Sequence, residues 1–240
     1  MKKIGMALLV VVLAAAGAML WLGGNIDRLL RDAIVEYGSA MTQAAVSVEA
    51  VKISASGEGT ISGLEIGNPK GFKTAHAMKL KEFTVAIDPA TLAGDVITIK
   101  KIAIVAPDVV YEKGDSMTNF DALQKNIADY LGPAKQEESG PGKKLIVEEL
   151  SITGAKAEVS APFMAGDTVS VSLPDITLHN IGKDKGGVTP GELGQAIVGA
   201  LKKQLTKSVS FDKLGKAAAD AAKAAGDAAS SAVDKVKSLF

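Results

Sequence analysis

One spacing of apolar residues recurs along this chain and limits the folds open to it. Apolar residues fall at relative positions 0, 2, 5 and 7 in Val46, Val48, Val51, Ile53, again in Met78, Leu80, Phe83, Val85, and again in Ile97, Ile99, Ile102, Ile104. Leu145, Val147, Leu150, Ile152 and Val171, Leu173, Ile176, Leu178 repeat it, and Ile61, Leu64, Ile66 is a partial copy. At about 100° per residue these positions scatter around a helix, whereas each half fits a strand of period two. Each copy therefore predicts a strand.

The three-residue step in the middle of each copy shifts the apolar phase, and the gap often holds polar pairs such as Lys81-Glu82, Lys100-Lys101 and Glu148-Glu149. Two arrangements satisfy it. A bulge or sharp bend keeps all the apolar side chains on one face, or each long strand buries its halves on opposite sides. The second halves, Val51, Ile53, Phe83, Val85, Ile102 and Ile104, share a phase and are expected on one face of a curved sheet. Breaks near Glu49, Lys81 and Lys100 are expected to align across neighbouring strands.

Helical signals flank and interrupt the strands. Ile26, Leu29, Leu30, Ala33, Ile34 and Tyr37 form an amphipathic stripe expected to end at Gly38. Thr118 and Asp121 open a second helix, striped by Phe120, Leu123, Ile127 and Tyr130 or Leu131 and stopped by Gly132-Pro133. Thr189-Pro190-Gly191-Glu192 opens a third, whose apolar face runs Leu193, Ala196, Ile197, Ala200, Leu201, Leu205. From Asp212 to Phe240 the chain is Ala-rich, with Lys216, Asp220, Lys223 and Asp227 at helical spacing. The expected fold class is α+β, mainly β: a curved antiparallel sheet or β-groove of one or two modules. Residues 1–45 form the anchor and first helix, 46–131 a β module with its closing helix, 132–143 a flexible linker, 144–188 a second strand group and 189–240 the C-terminal helices.

Lys2 and Lys3 precede an uncharged run from Ile4 to Gly24, long enough as a helix, at about 30 Å, to cross a bilayer. Ile4, Leu8, Val12, Leu20 and Trp21 are its expected membrane-facing residues, with Trp21 suited to the interface. The lysines argue for a cytoplasmic N-terminus and a translocated body, giving a single-pass signal-anchor in the cytoplasmic membrane. Cleavage after Ala16-Gly17-Ala18 is the alternative, but the run continues through Met19 to Leu22 and favours an uncut anchor.

Chemistry is sparse. Lys plus Arg and Asp plus Glu both number 27, so no basic field exists to bind nucleic acid. There are no cysteines, which removes disulfides and thiolate chemistry. The two histidines, His76 and His179, lack metal-ligand spacing, and no nucleophile elbow, phosphate loop or dinucleotide fingerprint occurs. The Gly67–Phe72 stretch lacks a following helix and predicts a turn. No catalytic residue, metal site or cofactor is expected, and the chain reads as non-enzymatic.

V-S-V-E-A-V-K-I-S from Val46, G-T-I-S-G-L-E-I-G-N-P-K-G-F from Gly59 to Phe72, and I-T-I-K-K-I-A-I-V-A-P-D-V-V-Y-E from Ile97 to Glu112 together resemble the N-terminal part of AsmA-like proteins. The resemblance covers residues 1–112 well and 144–181 loosely. AsmA-like proteins are envelope proteins anchored in the bacterial inner membrane, related to TamB and to bridge-like lipid-transfer proteins with an apolar β-groove. It implies a periplasmic body, membrane and acyl chains as partners, other envelope proteins as further partners, and a role in lipid transport or outer-membrane biogenesis. This chain is too short to bridge the periplasm. Val51, Ile53, Phe83, Val85, Ile102 and Ile104 are then the expected lipid-facing residues, and charge at Val85 and Ile104 is expected to abolish uptake. The competing expectation is an assembly adaptor that holds a partner protein and binds no lipid, the helix from Thr189 to Leu205 plugging the groove itself.

Overall fold

The computed structural model describes residues 26–132, 143–164 and 167–237. The expected anchor, with Ile4, Leu8, Val12, Leu20 and Trp21, and most of the expected linker lie outside them. Among the described residues no helix is long and apolar enough to cross a membrane.

The chain is α+β and dominated by one open sheet. Helix α1 (Ile26–Thr42) leads into β1 (Val46–Ser47), β2 (Ala50–Ile53), β3 (Glu58–Gly67), β4 (His76–Ile87), β5 (Val96–Val105) and β6 (Asp108–Glu112). Helix α2 (Asn119–Leu131) precedes β7 (Lys144–Thr153), β8 (Lys156–Ser160), β9 (Val169–Ser172) and β10 (Ile176–Ile181). Helices α3 (Pro190–Ser208) and α4 (Phe211–Lys237) follow. α2 and α3 begin with complete capping boxes at Thr118 and Thr189, as their sequences predict. α1 does not end at Gly38. A Cβ there would sit 3.1 Å from Val46 Cγ1, so Gly38 serves close helix-to-strand approach and the helix runs on to Thr42.

The sheet is mixed, which corrects the antiparallel expectation. β5 pairs with β7 in parallel and β6 pairs with β8 in parallel, while the remaining pairings are antiparallel. Both strand groups therefore belong to one sheet, and the polar segment before β7 divides the sequence without dividing the sheet. The reason is the crossover through α2: a strand returning after a helix arrives in the same direction it left.

Register resolves the phase breaks. β1 and β2 keep one register against β3, and β3 holds the same register against β4 from Glu58 to Ile66. The registers of β4 with β5 and β6, of β5 and β6 with β7 and β8, and of β7 and β8 with β10 and β9 continue across the gaps in the same way. Following these registers, Glu49, Gly63, Lys81, Ala106, Gly154 and Pro174 fall on one line across the sheet. β5 with β6, β7 with β8, and β9 with β10 are thus long strands bent where they cross this line. Gly63, Ala106 and Gly154 adopt positive φ there (62°, 48° and 64°), the conformation that turns a strand sharply. Gly154 N donates to Asp175 Oδ1 at 3.0 Å and Ala106 N to Thr153 O at 2.8 Å, so the bend keeps its hydrogen bonds.

Lys100 departs from the expected alignment. It lies opposite the Ala86–Ile87 step of β4, where the register shifts and β5 carries the extra residue of a bulge. Its neighbours on the other side are Glu148 and Asn180, the latter with φ of 56°. Glu49 and Lys81 share the first line, and Lys100 belongs to a second, shorter one. In β5 the bulge keeps Ile97, Ile99, Ile102 and Ile104 all buried while Lys100 and Lys101 are exposed. Of the two arrangements open from the spacing, the one-face bulge is the one formed in β5.

Candidate functional site

Directly paired residues point to the same side of a sheet. Register places Val51, Ile61, Phe83, Ile104, Ile152 and Ile176 in one row, and Ile53, Gly59, Val85, Ile102, Leu150 and Leu178 in the next. The residues expected to share a face, Val51, Ile53, Phe83, Val85, Ile102 and Ile104, do lie on one. Between the rows runs Lys52, Thr60, Thr84, Ala103, Ser151 and Thr177, pointing to the opposite face. That face is polar, with ion pairs Lys79–Glu65 at 3.4 Å and Lys101–Glu149 at 2.9 Å. The hydrogen bond and charge of Lys101 hold the Glu149 carboxyl below the usual range.

The apolar face is largely covered by the chain's own helices, as the competing expectation of a plugging helix has it, and the expected groove is narrowed to what they leave uncovered. α1 sets Leu30 on Val48, Val51 and Ile61. α2 and α3 set Phe120, Leu123, Ile127, Leu193, Val198, Leu201 and Leu205 into the core that contains Ile102 and Ile104. Val51, Ile102 and Ile104 are only 4%, 6% and 6% exposed, and Leu205 is fully enclosed. These three expected lipid-facing residues are core, because the α1 stripe covers Val51 and the α2 and α3 stripes cover Ile102 and Ile104.

Ile53, Phe83 and Val85 are only half-buried. Leu64, Phe83 and Val85 pack against both the α1 cluster and the α2–α3 cluster, so they form the seam where the two covers meet. Ile34 and Val35 of α1 and Ile53 of β2 line the α1 side of it, also half-buried. The seam starts beside the first turn of α1, where Asp27 Oδ1 accepts from Ile53 N at 3.3 Å. α1 itself begins two positions after the apolar run ends at Gly24.

The helical cover is fastened by polar contacts. Lys202 Nζ on α3 reaches Asp121 Oδ1 at 2.7 Å and Gln124 Oε1 at 2.9 Å on α2. Burial works to raise the Asp121 pKa, but the hydrogen bonds from Lys202 and Thr118 and the Lys202 charge outweigh it and hold the carboxyl below its usual value. Outside this fastening a shallow recess of about 370 Å³ is lined by Gln124, Gly199, Lys202, Lys203, Thr206 and Lys207.

A buried polar network that no sequence motif announced holds the other half of the sheet. Glu112, 5% exposed, accepts from Lys73 N at 2.7 Å, Thr74 N at 2.8 Å and Thr74 Oγ1 at 2.5 Å. Asn119 donates to Asn68 Oδ1 at 2.9 Å and Val110 O at 2.7 Å, and Asn68 Nδ2 donates to Thr74 O and His76 O. The Gly67–Phe72 stretch is thus a loop tied to β6 and α2. The signal available beforehand was the cluster of turn residues Asn68-Pro69-Lys70-Gly71, which predicted a turn without its partners.

His76 is enclosed at the start of β4, 3.5 Å from Asp108, and His179 is exposed, opposite Glu149. Among the described residues no group of three or more His, Cys, Asp or Glu side chains could hold a metal ion. No family model, no curated protein and no solved structure matches this chain.

Proposed function

We propose that this chain is a non-enzymatic, AsmA-like envelope protein, tethered to the inner membrane by residues 4–24 with its body in the periplasm. Its bent sheet takes up a lipid acyl chain at the seam over Leu64, Phe83 and Val85, assisting lipid movement or outer-membrane assembly. The observation that carries the reading is the position of the seam: half-buried apolar side chains on an otherwise covered face, beside the helix that follows the apolar run in the sequence. Burying a methylene is worth about 0.8 kcal/mol, so even part of one acyl chain laid on the seam offsets the ordering cost of reversible capture. Full-length protein in membranes carrying a photoactivatable acyl chain tests it. Crosslinks should map to peptides containing Phe83 or Val85 and fall in Val85→Asp; crosslinks confined to residues 4–24 sink the groove and leave only the tether.

A second reading, an assembly adaptor that holds a partner protein and binds no lipid, is favoured by a specific observation. Leu201 and Leu205 of α3 are built into the core, so the apolar face needs no ligand over most of its width.

A further inference from the structure

The strands end together at one side of the sheet: β2 at Ile53, β4 at Ile87 and β10 at Ile181, with β5 starting at Val96 and β7 at Lys144. One corner of this end is cationic. The turn after β10, Gly182-Lys183-Asp184-Lys185-Gly186-Gly187, is closed by Gly187 N and Lys185 N donating to Gly182 O. It is pinned to the start of β7 by the paired bonds between Leu145 and Val188, and a Cβ on Gly187 would lie 2.5 Å from the Lys144 Cβ. Lys183 and Lys185 are therefore held next to Lys143 and Lys144, against the two carboxylates Asp184 and Asp95, the latter accepting from Lys144 N through its carbonyl. None of the four lysines forms an ion pair with another described residue, while Lys143 Nζ donates to Leu92 O and Lys183 Nζ to Asn180 Oδ1 at 3.5 Å. At the same end of the sheet Asp88 is taken by Lys100 at 3.9 Å. Lys183 and Lys185 are exposed, and Lys143 and Lys144 are half-buried.

This is also the end from which the apolar run departs, since α1 starts there, with Asp27 bonded to Ile53 N. We propose that the corner formed by Lys143, Lys144, Lys183 and Lys185 docks on an anionic bilayer surface. The proposal deepens the preceding reading and rests on its tether: with the run crossing the bilayer and α1 beginning two positions beyond Gly24, the β2 corner of this end is held near the headgroups, and the lysine corner, at the opposite β10 edge of the sheet, meets them when the end lies flat on the surface. Tethering makes weak charge attraction effective because it gives the lysines a high effective concentration of headgroups. The result is a body standing on the membrane with its seam turned toward the lipid.

The experiment uses the full chain in nanodiscs of zwitterionic lipid with or without added anionic lipid, followed by hydrogen exchange at Lys144, Leu145, Lys185 and Gly187. On anionic discs these amides should exchange more slowly by about fivefold, the factor that one lysine near an anionic surface carries. The slowing should vanish in Lys183→Glu/Lys185→Glu and in about 0.5 M salt. Both lysines are exposed, so the variant keeps its fold, and unchanged exchange at Val109 and Leu150 verifies it. Equal exchange on both kinds of disc, or slowing that survives the double variant, overturns the proposal. Failure of the tether shows separately, as protein that leaves zwitterionic discs in high salt, whereas charge-dependent slowing on anionic discs reads the docking alone.

Discussion

Gly63 and Ala106, on strands that both flank β4, stand on the same line across the sheet and share a left-handed backbone, with φ of 62° and 48°. The sheet is bent by a row of residues at matched register, one from each long strand, so the shape is set by backbone conformation as much as by packing.

Substitution along this line should have opposite signs at the two residues. Gly63→Ala forces an L side chain into the left-handed region, against the Glu49 side chain, and should cost about 1–2 kcal/mol. Ala106→Gly relieves the same strain and should be neutral or stabilising by about 1 kcal/mol or less. Urea unfolding of each variant measures both; a loss in Ala106→Gly comparable with that in Gly63→Ala would contradict the account.

The Glu112 lock should be local. Glu112→Ala leaves the Lys73 and Thr74 amides without their charged acceptor and should cost about 2–3 kcal/mol. Hydrogen exchange should accelerate at Lys73 and Thr74 first, with Ile102 and Leu150 following only the global loss.

Fastening of α3 to α2 carries a pH signature. The Asp121 carboxyl is held below its usual value, so its contribution is fully present above the ordinary aspartate range and is lost as pH falls through the lowered folded value. The stability gap between the native chain and Asp121→Asn should therefore be constant near neutrality and shrink in acid. A gap that stays constant down to the lowest pH would show that Lys202 draws nothing from the charge.

Leu205 tests whether α3 is core or a displaceable plug. As a fully enclosed residue, it should cost about 2–5 kcal/mol when cut to alanine, with or without lipid present. If lipid restored the lost stability, α3 would be occupying a ligand's place.

The expected double substitution at Val85 and Ile104 no longer separates lipid uptake from folding. Ile104 is 6% exposed within the core, so aspartate there buries an unpaired charge. Val85, half-buried at the seam, is the informative position.

Period-two halves made the strands legible, and the capping residues at Thr118 and Thr189 gave both helix starts. The matched phase of Val51, Phe83 and Ile104 was legible too, because cross-strand rows must agree wherever one face is buried. Pairing direction was not: nothing in the Ile97–Ile104 and Leu145–Ile152 segments distinguishes a parallel from an antiparallel neighbour. The cover over the apolar face was legible only as the competing expectation of a plugging Thr189–Leu205 helix, since an amphipathic stripe does not state which face it will meet. Gly38 misled for a simpler reason, its role being close approach to Val46 rather than helix termination.

The parallel pairing of β5 with β7 also orders events in time. Ile97 has its partner Leu145 only after β6, α2 and the polar segment have been made, so as the chain emerges from its N-terminus one edge of β5 waits unpaired. During that interval another chain could add to the edge. Lys100 and Lys101, adjacent in the middle of the strand, put charge where such an intruder would have to pair, and β7 answers Lys101 with Glu149. The same two lysines that interrupt the apolar spacing thereby select the late-arriving partner over a premature one.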